Sequence, residues 1–181
     1  KGVVWANQFD NTANYKGHYE TTGKEIWEQT EGKIDGFICA SGTGGTIAGV
    51  SNALKEKNKN IKIYLSDPKG SCLYSYIKTK EFKSEGNSIT EGIGSSRATK
   101  NFEKALIDDA YSIDDTMALT VLFDLIEKEG LSLGTSSGIN VAGAIKLAQE
   151  LGPNKTIVTI LCDKSDRYQG KLFNKKFLME K

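Results

Sequence analysis

A run of small residues is the first place in this sequence where chemistry is expected. Gly42, Thr43, Gly44, Gly45 and Thr46 follow an apolar, strand-like segment and precede a helical pattern. The first backbone N–H groups of a helix have no partner inside it, and the helix dipole adds partial positive charge there. Glycines let the backbone approach an anion closely, and threonine hydroxyls can donate hydrogen bonds to it. This order of strand, turn and helix predicts a phosphate-binding loop.

Two well-known phosphate loops do not fit the run. The loop that binds nucleoside triphosphates requires a lysine after its last glycine, and no lysine follows Gly45. The dinucleotide loop G-x-G-x-x-G requires a third glycine, and Ile47 stands in its place. The run therefore fits a phosphate monoester better than a nucleoside triphosphate or a dinucleotide. A tight turn without any ligand stays open as an alternative.

A second run of small residues lies within Leu131–Ala144. Ser136, Ser137 and Gly138 follow a strand-like element there and precede another helical pattern. This turn either contacts a ligand or only caps a helix that packs closely on a sheet. Two such turns at the carboxyl ends of parallel strands would face one crevice, where ligands of open α/β sheets bind.

The elements that would position these turns alternate along the chain. Short apolar runs predict four buried strands: Val3–Ala6, Ile34–Ala40, Ile61–Ser66 and Thr156–Cys162. Apolar residues at three- and four-residue spacing predict three helices: Gly45–Lys57, Asp115–Glu129 with Asp114 or Asp115 as its cap, and Gly138–Leu151 ending at Gly152-Pro153. We expect an α/β fold, a parallel sheet with helices on both faces, in a single domain over residues 1–181.

The composition of the chain bears on whether it binds nucleic acid, a membrane or a metal ion. The formal net charge is +1, which gives no electrostatic reason to expect a nucleic-acid partner, and no apolar run is long enough for a membrane span. Cys39, Cys72 and Cys162 are far apart and His18 is the one histidine, so we expect no metal site. Cys39 and Cys162 lie in apolar runs and are predicted to be buried thiols, which favours a cytoplasmic location.

Several motifs together resemble a known family. They are "GTGGT" at Gly42–Thr46, "TSSGINVAGAI" at Thr135–Ile145 and "TIVTILCDKSDRYQGKLF" at Thr156–Phe173, with Asn7–Thr30 and Ser88–Arg97 fitting in the same order. The chain is similar over essentially its whole length to cysteine synthase, or O-acetylserine sulfhydrylase. That enzyme is a fold-type II, tryptophan synthase β-like protein that uses pyridoxal 5′-phosphate.

The resemblance implies a role for each motif. Gly42–Thr46 would hold the cofactor's 5′-phosphate, and Ser136 would hydrogen-bond its pyridine nitrogen. Gln8 would lie near the substrate carboxylate, with Gly92 and Gly94 at the mouth of the cleft, although Gln8 as an ordinary exposed residue stays open. A hydroxyl at the ring nitrogen, in place of a carboxylate, would favour β-elimination and β-replacement: O-acetylserine and sulfide would give cysteine and acetate.

The chain also departs from the family pattern. Thr12 stands where the family commonly has proline. The family's Schiff-base lysine and its substrate-carboxylate loop would precede Gly2, so the chain resembles a C-terminal half, truncated on its N-terminal side, and contains no expected catalytic residue. We expect residues 1–18 to lie at the edge with a missing small domain.

These departures set the expected activity and partners. We expect the chain alone to be inactive, to expose apolar surface, and to pair with an N-terminal fragment or form a homo-oligomer. Two alternatives stay open: a non-catalytic module that binds a phosphorylated ligand or a partner protein, and a relative that forms cystathionine or lanthionine.

Overall fold

Four parallel strands form the centre of the protein. The computed structural model describes residues 2–179, so Lys1, Glu180 and Lys181 of the expected domain lie outside the described residues. The strands, in chain order, are β1 Gly36–Cys39, β2 Lys62–Pro68, β3 Asp109–Ile113 and β4 Ile157–Val158. They lie in the order β3-β2-β1-β4, and Phe37 of β1 is opposite Ile63 of β2 and Val158 of β4. The parallel sheet expected from the sequence is confirmed.

Helices connect and cover the strands. Their bounds are α1 Ala13–Glu20, α2 Thr22–Gln29, α3 Gly45–Lys57, α4 Leu73–Thr79, α5 Asp115–Glu129, α6 Thr135–Leu151, α7 Gln169–Leu172 and α8 Lys175–Met179. Asp114 caps α5 by accepting a hydrogen bond from the Met117 amide at 2.8 Å, which decides between the two predicted caps. Within residues 2–179, no helix combines the length and the apolar character that crossing a bilayer requires.

The two faces of the sheet carry different helices. Ile47, Val50 and Leu54 of α3 are fully buried and pack in one cluster with Phe37 and Ile63. On the opposite face, Ile38 and Tyr64 pack in a second cluster with Leu147 of α6. Alternate residues of β1 and β2 therefore serve different cores, and the expected helices on both faces are confirmed.

The chain changes direction within the sheet at β1. It proceeds from β1 to β2 and β3, and then places β4 on the other side of β1. In open α/β sheets a ligand crevice is expected where the order reverses, which here is outside the carboxyl ends of β1 and β4. Residues 40–46 leave β1 at this point and residues 159–163 leave β4, so the fold brings both segments to the same end of the sheet.

Two predicted strands are wrong or shorter than expected. Val3–Ala6 is not a strand: Val3, Val4 and Trp5 are 95%, 88% and 83% exposed, and none of the described strands pairs with this segment. The run Thr156–Cys162 contributes only Ile157–Val158 to the sheet, as an edge strand that pairs with β1 alone among the described strands. An apolar run forms a strand only where a neighbouring backbone completes its hydrogen bonds.

Other elements were not predicted or begin elsewhere. Apolar periodicity did not predict β3, because this strand contains polar residues and is partly exposed. It did not predict α1 either, because this helix has no apolar face. Helix α6 begins at Thr135, three residues before the expected Gly138. The segment before it is not a strand of the sheet: Leu133 makes only an isolated antiparallel bridge to Lys164. The expectation that both small-residue turns follow sheet strands is therefore wrong for the second turn.

Candidate functional site

The first small-residue run forms the turn between β1 and α3. Gly44 precedes the first residue of α3 with φ of 86°, in the left-handed region that side chains disfavour. A Cβ at Gly44 would lie 2.5 Å from the backbone nitrogen of Phe102, so the position excludes larger residues. Thr99 supports the turn by donating its hydroxyl to the Thr43 carbonyl at 2.6 Å. The loop is held in shape by a segment more than fifty residues away.

The start of α3 has unsatisfied hydrogen-bonding groups. The N-cap residue Gly44 has no side chain, and the Gly45 amide has only a long bond of 3.4 Å to the Thr43 hydroxyl. The amides of Thr46 and Ile47 have no partner within the helix. Ser41, just before the loop, is 2% exposed, and its hydroxyl oxygen is buried without a hydrogen-bond partner. A buried polar atom without a partner costs free energy, so each one calls for an explanation. An anion bound at the turn would supply acceptors for these donors.

Gly92 and Gly94 lie against the same loop. A Cβ at Gly42 would lie 2.4 Å from the Gly92 carbonyl oxygen, and the Gly94 amide donates to the Ser41 carbonyl at 2.8 Å. Both Gly92 and Gly94 have positive φ, so the segment is shaped by glycine conformations. Gly94 also lines a cavity of about 420 Å³. The structure therefore brings together the two glycine-containing motifs that the sequence separates by some fifty residues.

The backbone of Gln8 is tied to the loop through an asparagine. The Asn14 side-chain nitrogen donates to the Gln8 carbonyl at 3.0 Å and to the Thr43 hydroxyl at 2.9 Å. Asn101 donates to the carbonyls of Gln8 and Phe9 at 3.2 and 2.7 Å. Gln8 itself is exposed. The segment is thus held beside the loop by its backbone carbonyls, and the role of the Gln8 side chain stays a prediction.

Ser136 lies in the first turn of α6. Asn140, one turn further along, accepts from the Ala40 amide at 2.7 Å and donates to the Ile160 carbonyl at 2.8 Å. These bonds join the end of β1, which leads into the loop, to the segment that follows β4. The second turn therefore reaches the crevice through the Asn140 bridge, although no sheet strand precedes it.

Cys162 contacts the same turn, and one prediction about it is wrong. Cys39 is buried as expected, but Cys162 is exposed because its segment leaves the sheet after Val158. Its thiol points toward Ser136 and toward the Asn140 side chain, which is 3.6 Å away. Although the residue is exposed as a whole, the neighbouring protein atoms partly desolvate its sulfur and raise the pKa of Cys162, and the hydrogen bond with Ser136 opposes this shift. The Cys162 amide donates to the Ser137 hydroxyl at 3.0 Å.

The segments described above, which include the Gly42–Thr46 loop, the Gly92–Gly94 segment and the first turn of α6, belong to a stretch of sequence that matches a known family. Residues 1–163 match the family model described as "Pyridoxal-phosphate dependent enzyme". The chain belongs to this family of pyridoxal-phosphate dependent enzymes. The match spans the Gly42–Thr46 loop, Ser136 and Gln8, so the proposed site residues fall inside the matched region.

Individual proteins of this family show which members the chain is similar to. The chain is 46% identical to a cysteine synthase of Dictyostelium discoideum, covering 97% of this chain and 49% of that protein. It is 47% identical to cysteine synthase 1 of Neurospora crassa, covering 99% and 49%. The crystal structure of the O-acetylserine dependent cystathionine beta-synthase of Helicobacter pylori superposes with a TM-score of 0.82 at 33% identity, covering 91% and 51%. The chain thus spans about half the length of these relatives of the pyridoxal-phosphate family.

The residues present fit the cofactor of the family. A phosphate ester requires several converging donors, and the uncapped start of α3 with the unpartnered Ser41 hydroxyl supplies them. At the second turn, the Thr135 hydroxyl and one carboxylate oxygen of Asp163 are also buried without partners. Among residues 2–179, no group of three or more histidine, cysteine, aspartate or glutamate side chains is placed to hold a metal ion.

Several residues that build the site were not identified from the sequence. Asn14, Asn101, Asn140 and Thr99 make its long-range ties, and each is an ordinary polar residue in a composition rich in asparagine. Their one available signal was position: Asn14 and Asn140 lie inside motifs that carry the family resemblance. The bonds themselves join residues 29 to 100 positions apart in the chain, which local patterns cannot reveal.

Proposed function

We propose that this chain is the cofactor-phosphate part of a pyridoxal-phosphate dependent cysteine synthase that converts O-acetylserine and sulfide to cysteine and acetate. The observation that carries the proposal is the uncapped start of α3 beside the unpartnered Ser41 hydroxyl, within a chain 46–47% identical to cysteine synthases. When bound, the cofactor supplies an electron sink for breaking bonds at the α- and β-carbons of the amino acid.

The chain's own residues bind and orient the cofactor and the substrate. The amides of the Gly42–Thr46 loop and the Ser41 and Thr43 hydroxyls hold the phosphate ester. The Ser136 hydroxyl contacts the pyridine nitrogen, with Asn140 keeping the first turns of α6 against the end of β1. Gln8 and the Gly92–Gly94 segment line the substrate side of the crevice. None of these groups forms a covalent bond to the cofactor, so we propose that turnover requires a further segment that carries the lysine.

Binding of pyridoxal phosphate to the purified chain tests the loop. We expect pyridoxal phosphate to bind measurably, pyridoxal without its phosphate to bind at least about tenfold more weakly, and inorganic phosphate to compete, since charge-assisted hydrogen bonds provide the affinity. Equilibrium dialysis measures all three. Equal binding of pyridoxal and pyridoxal phosphate would contradict the proposal.

A matched pair of serine variants separates binding from folding. Ser41→Ala should weaken phosphate binding about tenfold without loss of stability, since the hydroxyl it removes is buried and unpartnered. Ser66→Ala should lower stability and leave phosphate binding unchanged. The Ser66 hydroxyl donates to the Ile139 carbonyl at 2.7 Å, on the face of the sheet opposite to α3. If both variants changed stability alone, the Ser41 hydroxyl would have no part in binding an anion.

Activity is tested by adding an N-terminal half taken from a relative. We expect no cysteine formation from the chain alone, and cysteine formation from O-acetylserine and sulfide when a polypeptide carrying the N-terminal half of a relative is added. Homocysteine in place of sulfide distinguishes cystathionine formation, which the name of the Helicobacter pylori protein makes the second candidate. Binding of phosphate esters with no activity in either mixture would favour a non-catalytic binding module.

We propose that residues 1–18 and the exposed edge of β4 contact such a further segment or a second copy of the chain. The support is the exposed apolar surface, with Val3, Val4 and Trp5 almost fully exposed and Leu161 48% exposed. We also propose a reducing, cytoplasmic compartment, consistent with three unpaired cysteines, although a yeast relative is named a putative mitochondrial cysteine synthase. The molar mass in solution, with and without the N-terminal half, tests the contact.

A further inference from the structure

The one histidine of the chain joins two threonine hydroxyls. His18 lies on α1, with its Nδ1 2.9 Å from the Thr22 hydroxyl and its Nε2 3.2 Å from the Thr46 hydroxyl. Its position against α3 is close-packed, because a Cβ at Gly49 would lie 2.5 Å from the His18 Cβ. The ring therefore connects the start of α2 to a residue of the phosphate loop, and it has little freedom to move away.

The hydrogen positions follow from what each atom can do. Burial lowers the pKa of His18, which favours the neutral ring at neutral pH. A neutral imidazole has one nitrogen that donates and one that accepts. The Thr22 hydroxyl has its hydrogen-bond partner in Nδ1. If Thr22 donates there, the ring hydrogen is on Nε2 and is donated to the oxygen of Thr46.

We propose that His18 is a positioning residue for the phosphate loop: by donating its Nε2 hydrogen to Thr46, it leaves the Thr46 hydroxyl hydrogen free for a phosphate oxygen. The opposite tautomer would accept that hydrogen and remove one donor from the loop. In this arrangement the Thr22 hydroxyl donates to Nδ1, so three side chains on α1, α2 and α3 orient one hydrogen bond. This inference rests on the proposed function, in which the Gly42–Thr46 loop binds a phosphate ester.

Nitrogen NMR of the ring tests the tautomer directly. Because the chain has a single histidine, selective ¹⁵N labelling of histidine gives one imidazole whose two signals need no assignment between residues. We expect a protonated, pyrrole-type Nε2 and an unprotonated, pyridine-type Nδ1 at neutral pH, without ligand and with saturating inorganic phosphate. A protonated Nδ1 with an unprotonated Nε2 would overturn the inference.

Variants of the two hydroxyls connect the tautomer to binding. Thr46→Val should weaken inorganic phosphate binding by about tenfold or more, as expected for one hydrogen bond to a charged group. Thr22→Val leaves Nδ1 without its donor, so we expect a mixture of tautomers and phosphate binding weakened about threefold. Thr21→Val is the matched control: the Thr21 hydroxyl donates to the Gly17 carbonyl at 2.9 Å, and both readouts should stay at wild-type values.

The outcomes distinguish this inference from the proposed function. If the wild-type chain binds neither inorganic phosphate nor pyridoxal phosphate, the proposed function fails, and with it the ligand assigned to Thr46. If phosphate binds but the ring shows the opposite tautomer, or if Thr22→Val binds phosphate as the wild type does, only the role of His18 fails. Urea unfolding of each variant confirms that a weaker binder is still folded.

Discussion

Replacing Gly45 by alanine should remove the tie between the Gln8 segment and the phosphate loop. A Cβ at Gly45 would lie 1.9 Å from Oδ1 and 2.4 Å from Cγ of Asn14, so the Asn14 side chain has to leave its place. Asn14 there donates to the Gln8 carbonyl and the Thr43 hydroxyl. The substitution therefore acts through Asn14, although it is made in a different helix.

The size of the effect follows from two opposing contributions. Two neutral hydrogen bonds contribute about 0.5 to 1.5 kcal/mol each, so their loss costs about 1 to 3 kcal/mol. Alanine at a helical position contributes up to about 1 kcal/mol relative to glycine, and Gly45 does not have the positive φ that would forbid a side chain. We expect Gly45→Ala to lower the free energy of unfolding by about 0 to 3 kcal/mol.

A double-mutant cycle tests the mechanism. With Asn14→Ala already present, the atoms nearest to the new Cβ are gone, so Gly45→Ala should become neutral or stabilising by up to about 1 kcal/mol. Gly17→Ala in α1 is the control, because a Cβ there meets nothing within 4 Å and the substitution should stabilise in either background. Urea unfolding measures each free energy. If Gly45→Ala were equally costly in both backgrounds, Asn14 would not be the group it displaces.

Three further predictions concern the sheet and the crevice. Burial raises the pKa of Asp67 to about 6 from an ordinary 3.8, so the folded state binds this proton more tightly. The protonated Asp67 therefore contributes ~3 kcal/mol to the free energy of unfolding below about pH 4, and this contribution is lost as the pH rises to about 6. Asp67→Asn should abolish this pH dependence, which urea unfolding across the range measures. Asn140→Leu leaves the Ala40 amide and the Ile160 carbonyl without partners, and should cost about 2 to 4 kcal/mol by the same assay. Gly143→Ala places a Cβ 2.4 Å from the Ser66 hydroxyl oxygen, and should lower the thermal unfolding temperature where Gly17→Ala raises it.

The controls for these predictions lie in the same elements. Asn52→Leu removes an asparagine from α3 whose side chain bonds the Ala48 and Lys104 carbonyls, at the end of the helix away from the crevice, and it should leave phosphate binding unchanged. Asn140→Leu should weaken phosphate binding as well as stability. A pH dependence between pH 4 and 6 that survives in Asp67→Asn would assign it to another group.

The parts of the fold that local patterns specify were predictable. Apolar spacing placed α3 and α5 at their observed bounds, and an aspartate marked the start of α5. Alternation of strands and helices indicated the parallel sheet. These features depend on residues close together in the chain, so a sequence pattern contains them. The Val3–Ala6 run shows the limit, since it has the composition of a strand but no strand beside it among the described residues.

The candidate site was predictable in its residue types and not in its construction. Glycines and hydroxyls at 42–46 indicate an anion because they expose backbone donors, whatever surrounds them. What holds that loop is a set of amide side chains that reach across the chain: Asn101 bonds carbonyls of the segment at Gln8–Phe9 more than ninety residues earlier, and Asn140 reaches Ala40. An asparagine can serve equally in a turn, a cap or a surface, so its type carries no information about a distant partner. The chemistry of such a site is therefore visible in short motifs, whereas its rigidity, on which phosphate affinity depends, becomes visible only when the sheet has placed those motifs side by side.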